Sequence, residues 1–324
     1  MSTRPVVFVT RCVPPNGMDM LKSECEVRTW PNDAVIPRDQ LLQGVKGADG
    51  LLCHPSEKID QEVLDAAGPQ LKVIGTMSVG LEHLDLALCK SRNIHVGYTP
   101  DVLTDATAEM TVGLLLATSR RIKEGFAATV NGGWGTWNCG LYLAGKELSE
   151  STVGIVGLGR IGLAVAKRLQ PFGVQKFLYS GNSEKSWASD IGAEFVPFDK
   201  LLQNSDFVVA CCSMNPQNKG LFNKDAFSKM KNSAIFVNTS RGVLVNQEDL
   251  LQALSTNQIL AAGLDVTTPE PLPRDNPLFT LNNCVITPHL GSATTKARAA
   301  MADLVCRNIL AGLKGQPLPK PVPL

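Results

Sequence analysis

Short apolar runs separated by amphipathic stretches set the rhythm of the first hundred residues. Runs at 6–9, 25–29, 50–53, 71–76 and 94–96 have the length and side-chain composition of strands. Between them, 17–24, 38–42, 60–67 and 85–91 carry apolar residues at helical spacing, the third opened by Asp60. This alternation predicts a small open parallel sheet with helices on both faces. Tyr98-Thr-Pro-Asp101 breaks the rhythm. One long helix is then expected over 104–121, capped by Thr104 or Asp105 with Glu109 in its first turn. Its apolar face runs through Met110, Leu114 and Leu115, and Gly113 on that face is expected to allow close packing. Gly132-Gly-Trp134-Gly-Thr-Trp137 reads as an irregular loop.

A second alternating set begins at Thr152. Strands are expected at 153–156, 177–179, 207–210, 235–238, 261–265 and 285–287, with helices near 224–230 and 247–254. A final helix over 294–313 precedes a proline-rich tail. No internal repeat or low-complexity run is visible. The longest apolar stretch, 112–117, is far too short to cross a bilayer.

The first strand of this second set is followed by Gly157-Leu-Gly159-Arg-Ile-Gly162 and a helical pattern through Leu163, Val165, Ala166 and Leu169. Strand, glycine turn, helix and strand within about 30 residues is the context that a dinucleotide-binding turn requires. Gly157 permits a tight turn, Gly159 lets backbone approach a pyrophosphate, and Gly162 lets helix pack on strand. Phosphates would meet the free N–H groups and positive dipole end of the helix. Six strands with the glycine turn after the first is the strand count of a Rossmann sheet.

Bulk numbers narrow the field. A chain of 324 residues, 44% hydrophobic and 19% charged, can build two cores, and the length suggests two domains. A net charge of +1 gives no electrostatic reason to expect nucleic acid or an anionic membrane as partner. The nine cysteines form no CxxC pair and match neither metal-ligand spacing nor a secreted disulfide framework. Reduced thiols, an N-terminus without an apolar signal region and a C-terminus that is not a peroxisomal address together point to the cytoplasm. No metal site is expected.

Three segments carry polar residues that packing does not explain: Asn238-Thr-Ser-Arg241-Gly, Gly263-Leu-Asp265-Val with Pro269-Glu270-Pro after it, and Thr287-Pro-His289-Leu-Gly291-Ser. With GLGRIG upstream, this order of Arg, Glu and His resembles the D-2-hydroxyacid dehydrogenase family. Thr76-Met-Ser-Val-Gly80, Tyr98-Thr-Pro-Asp-Val-Leu-Thr104, Asn131-Gly-Gly-Trp134 and Ser240-Arg-Gly242 extend the resemblance over nearly the whole chain. It implies an α/β architecture in which a Rossmann cofactor domain, 103–290, is inserted into a smaller flavodoxin-like substrate domain, 1–102 plus 291–324, with substrate in the cleft between them. The activity implied is NADPH-dependent reduction of a small 2-oxo acid, with glyoxylate going to glycolate and hydroxypyruvate to D-glycerate. Phosphoglycerate-, lactate- or formate-type dehydrogenases and a dinucleotide-sensing corepressor are the rival readings.

The resemblance also assigns roles. Arg241 would clamp the substrate carboxylate in two-pronged geometry. His289 would protonate the oxygen as hydride reaches the carbon, and Glu270 would hydrogen-bond its other nitrogen, fixing the tautomer and favouring the imidazolium. Val79 and Gly80 would offer backbone N–H groups to substrate, beside Ser292 and Trp137. Asp265 would lie near the nicotinamide, with helix capping or turn formation as the alternative, and Gly291 leaves room for the cofactor. Leu158, Arg160 and Ile161 complete the glycine turn's contribution. Ser213 and Thr239 are expected to touch the cofactor or to cap strand ends. His54, His83 and His95 read as structural.

NAD-selective sites place an acid about 20 residues past the glycines. Here Tyr179 is followed by Ser180, Gly181, Asn182 and Ser183, then Glu184 and Lys185. Serines can bind a 2′-phosphate and Lys185 or Arg160 can supply charge, so NADPH is expected over NADH. Asn182, where an arginine often stands in NADPH-using relatives, and Glu184 weigh against it. Trp134 and Trp137 suggest either a homodimer arm over 122–148 or packing within one subunit.

Overall fold

The apolar runs of the first hundred residues become five strands: β1 (Val6–Val9), β2 (Glu26–Thr29), β3 (Gly50–Cys53), β4 (Val73–Thr76) and β5 (His95–Gly97). In the computed structural model, which describes residues 4–135 and 140–323, they pair parallel in the order β2-β1-β3-β4-β5. This is the flavodoxin-like order. Every residue of β3 and β4 is buried, which is why central parallel strands read as unbroken apolar runs. Asp60 and Asp85 cap the helices Gln61–Ala67 and Leu86–Ser91 by accepting the N–H groups of Val63 and Leu88.

These strands belong to a unit made of Met1–Leu103 and Thr294–Leu324; the other unit is Thr104–Ala293. The helix Thr295–Leu313 therefore lies in the first unit, against the helix Pro15–Glu24 and β4. Gly75 and Gly97, paired across β4 and β5, admit it. A Cβ at Gly97 would stand 2.5 Å from that of Asn308, and one at Gly75 2.8 Å from Val305 and Ile309.

The second unit holds β6 (Thr152–Val156), β7 (Lys176–Ser180), β8 (Glu194–Phe195), β9 (Phe207–Ala210), β10 (Ile235–Asn238), β11 (Ala261–Leu264) and β12 (Cys284–Ile286). The sheet order is β12-β11-β10-β9-β6-β7-β8, all parallel. It is a Rossmann sheet with one strand added beyond the sixth, so seven strands replace the six expected. The missed one, β8, has two residues, both exposed, at the sheet edge. Too short to show a period, it left no sequence signal.

Two further expectations are corrected. The long helix stops at Ser119, Arg121 turns left-handed (φ 54°), and a separate helix, Ile122–Val130, follows. Gly113 faces open space rather than a neighbour. The glycine that lets the helix Thr104–Ser119 approach the sheet is Gly263 on β11, where a Cβ would stand 2.6 Å from Thr118 Oγ1 and 2.9 Å from Leu114 Cγ.

Candidate active site

The glycine turn leaves β6 at the point where the strand order reverses between β6 and β9. Gly157 has φ +97°, and a Cβ there would stand 2.5 Å from Cys212 backbone. Any other residue would be strained twice over. A Cβ on Gly162 would overlap the Gly157 carbonyl, whereas one on Gly159 would meet nothing within 4 Å. Gly159 is also the N-cap of the helix Arg160–Leu169, and no side chain caps it. The N-terminal end of this helix, with its positive dipole end, therefore follows a turn in which backbone is not covered at Gly159, the arrangement that suits a pyrophosphate. Leu158 is buried beneath the turn.

The end of β7 frames the same turn. Gly157 N–H donates to Ser180 O at 2.8 Å. Gly181, Asn182 and Ser183 are exposed, and Lys185 is half-buried with its Nζ 3.0 Å from Ser183 Oγ. Ser213, exposed after β9, accepts Asn218 Nδ2 on its carbonyl at 2.7 Å. Thr239, after β10, lies 2.7 Å from Thr111 Oγ1. Since the Thr111 hydroxyl donates to Thr107 O at 2.7 Å, the shared proton comes from Thr239.

β10, β11 and β12 are neighbours, and their C-terminal ends deliver Arg241, Asp265 and His289 to one edge of the sheet. Asn238, fully buried, shapes the first loop: its Oδ1 accepts Ser240 N–H at 3.0 Å and its Nδ2 donates to Arg241 O at 2.8 Å. Ser240 Oγ donates to Cys212 O. Arg241 Nη1 donates to Ser240 O at 2.8 Å.

Asp265, 1% exposed, organises the last loop. Its Oδ1 accepts the Thr287 hydroxyl at 2.6 Å and Leu290 N–H at 2.8 Å; its Oδ2 accepts Gly291 N–H at 2.8 Å. Its backbone carbonyl accepts His289 N–H at 2.9 Å. These bonds hold His289 at φ +54°, a left-handed conformation costing about 1–2 kcal/mol in a residue with a Cβ. The turn-forming alternative for Asp265 is thus visible in its contacts.

Glu270 meets His289 directly, Oε2 to Nδ1 at 2.9 Å, while its Oε1 accepts Thr267 N–H at 3.0 Å. Burial pushes the Glu270 carboxyl up. The His289 hydrogen bond and charge, the Thr267 N–H and the Arg241 charge outweigh it and hold the group below the usual carboxylate range. With Nδ1 donating to a carboxylate, Nε2 is the nitrogen left to face a substrate. The His289 side chain is 47% exposed, so that nitrogen is reachable.

Arg241, Asp265, Glu270, His289 and Gly291 therefore form one constellation, with half-buried Ser292 just beyond it. Val79 and Gly80 belong to the other unit, after β4, where Ser78 Oγ donates to Gly80 O at 2.7 Å. Trp137 lies outside the described residues; Trp134 is exposed. His54 is buried, and desolvation drives its imidazole down to about 4 despite Glu57, so it is neutral at pH 7. Among the described residues no group of three or more His, Cys, Asp and Glu side chains is placed to hold a metal ion.

The sequence assigns no role to three residues that brace this edge: Asn238, Thr111 and Thr287. Asn238 had a local signal, an Asn two residues before Ser240 that closes an Asx turn. Thr287 and Thr111 act on groups 22 and 128 positions away in the chain, which no local pattern reports.

Residues 112–291 match the profile of the D-isomer specific 2-hydroxyacid dehydrogenase NAD binding domain. The chain is 56% identical over 321 residues to glyoxylate reductase/hydroxypyruvate reductase of Mus musculus, covering 98% of each protein. Against the Homo sapiens protein of that name it is 54% identical over 328 residues, covering 99% of this chain and 100% of the relative. An NADPH-dependent glyoxylate/hydroxypyruvate reductase from Sinorhizobium meliloti, solved with NADP and malonate, superposes with a TM-score of 0.86 at 28% identity, covering 99% of this chain and 97% of that one.

Proposed function

The chain belongs to the D-isomer specific 2-hydroxyacid dehydrogenases, a family of nicotinamide-dependent oxidoreductases, and on that premise we propose that it reduces glyoxylate to glycolate and hydroxypyruvate to D-glycerate with NADPH. Its cofactor is a nicotinamide dinucleotide. The observation that carries the reading is the Glu270–His289 pair at 2.9 Å, on the same sheet edge as Arg241.

When bound, the reduced nicotinamide supplies the hydride for the 2-oxo carbon. Arg241 pairs with the substrate carboxylate and fixes which carbon is presented. His289 releases a proton from Nε2 to the carbonyl oxygen, so that hydride and proton together give the alcohol. Glu270 keeps the proton on Nδ1 and faces the imidazolium with a negative charge. Asp265 holds the loop that aims the ring, and Thr239 and Gly291 line the cofactor's side of the same edge. The backbone N–H groups of Val79 and Gly80, with Ser292 and Trp137, complete the substrate contacts in this reading.

Preference for NADPH is supported by Ser180 standing where NAD-selective sites carry an acid, and by Ser183 and Lys185 beyond it. The test is loss of the reduced-nicotinamide absorbance, comparing NADPH with NADH against glyoxylate, hydroxypyruvate and pyruvate. NADPH with the first two substrates is expected to be fastest. Faster turnover with NADH would refute the cofactor assignment.

The working form is a homodimer built on the arm 122–148. The helix Ile122–Val130 has no buried residue, and Ile122, Phe126 and Val130 stand 57%, 70% and 66% exposed at i, i+4 and i+8, one apolar stripe along its length. Trp134 and Leu141, later in the arm, are exposed as well. A second copy offers the same stripe in return. Phe126→Asp is expected to convert the dimer to a monomer in light scattering; an unchanged mass would contradict the arm's role. The eight described cysteines are free thiols, which suits a reducing compartment, the cytoplasm in this reading. No helix among the described residues is long and apolar enough to cross a membrane.

A further inference from the structure

Lys185 is held from three sides. Its backbone N–H donates to the Tyr179 hydroxyl at 2.9 Å, closing the loop that follows β7. Its ammonium lies 3.0 Å from Ser183 Oγ and 5.8 Å from the centroid of the Trp187 ring. The Trp187 indole N–H in turn donates to Leu158 O at 3.0 Å, inside the glycine turn. Trp187 is 40% exposed at the start of the short 3-10 helix Ser186–Ile191. Here it spans from the phosphate-binding turn to the one lysine of the loop. A lysine is a point charge on a flexible stem, without the rigid fork of an arginine, so its aim depends on what it rests against, and an aromatic face within about 6 Å supplies such a rest.

We propose that Trp187 is a positioning residue for cofactor choice: its ring holds the Lys185 ammonium beside Ser183, in the loop after β7, where it pairs with the 2′-phosphate of NADPH. The inference rests on the NADPH reading above. Since NADH lacks that phosphate, removing Trp187 acts on one cofactor and spares the other.

Calorimetric titration with NADPH and with NADH tests this without relying on turnover. Trp187→Ala is expected to weaken NADPH about tenfold while NADH changes by less than about twofold. Trp187→Phe keeps a ring but loses the indole donor, and is expected to weaken NADPH about threefold. In a Lys185→Ala background, Trp187→Ala should leave the NADPH-to-NADH ratio where Lys185→Ala put it. A wild-type protein that prefers NADPH, with a ratio that either Trp187 variant leaves unchanged or with both cofactors weakened equally, overturns the inference and spares the cofactor reading. A wild-type protein that prefers NADH overturns both.

Discussion

His289→Gln lowers kcat for glyoxylate reduction by about 10²- to 10⁴-fold, the range a positioned general acid contributes, while the affinity for NADPH stays within about threefold. Glutamine keeps a side-chain amide near the position of the imidazole, but it carries no proton that leaves near neutral pH. Stopped-flow absorbance of the reduced nicotinamide gives kcat, and titration gives cofactor affinity. Glu270→Gln produces a smaller loss, because the acid is still present but its tautomer is no longer dictated by a carboxylate at Nδ1. A His289→Gln protein with wild-type kcat would remove the residue from the chemistry. The Glu270 carboxyl, held below its ordinary value, also links folding to pH. The unfolded chain takes up the proton first as pH falls. The pair's contribution is therefore full above the ordinary carboxylate range and is lost as pH drops through the folded value. With both side chains substantially solvent-exposed, screening keeps that contribution small.

Arg241→Ala is expected to lower kcat/KM by about 10²- to 10³-fold, the cost of deleting one partner of a hydrogen-bonded charge pair at a site where water is displaced. Both parameters move: KM for the 2-oxo acid rises because the carboxylate loses its partner, and kcat falls because the carbonyl is no longer held in one orientation. Arg241→Lys recovers only part of the loss, since an ammonium cannot make the paired contact of a guanidinium. The loop itself survives these changes. Asn238 bonds the backbone at Ser240 and Arg241, not the guanidinium. Melting temperatures of the variants matching wild type would show that the kinetic change is local; steady-state kinetics within a few-fold of wild type would contradict the assignment.

Much of the second unit was legible because its central strands are buried on both faces and therefore read as continuous apolar runs. β9 and β10 fall on the residues expected from the pattern, and β8, two exposed residues at an edge, does not register at all. The long helix follows the expected pattern only as far as Ser119. Its expected end at Arg121 overshoots, because Arg121 adopts a left-handed conformation that no hydrophobic period encodes. Gly113 was misjudged for a related reason: a glycine in an apolar helix marks a close approach only when the partner is known, and the partner's own Gly263 makes the room.

The site shows the same division. Polar segments past apolar strands are visible in a sequence, and those holding Arg241, Glu270 and His289 stand out that way, while the roles of the three residues come from the family resemblance. For Asp265 the sequence offers turn formation only as an alternative, without its partners. Three hydrogen bonds from Thr287, Leu290 and Gly291 to one carboxylate are tertiary facts, and they make it the brace of the His289 loop. Trp187 gave no signal, because its meaning depends on Leu158 lying within reach across the glycine turn.

A single turnover tests most directly whether the protein uses its dinucleotide to reduce a 2-oxo acid. Protein loaded with NADPH is mixed with glyoxylate, and the loss of nicotinamide absorbance is followed together with the glycolate formed. The expected result is one glycolate for each NADPH oxidised in the wild-type protein, with the rate collapsing in both Arg241→Ala and His289→Gln. Tight NADPH binding with no oxidation by glyoxylate or by hydroxypyruvate would mean that the chain senses the dinucleotide rather than using it.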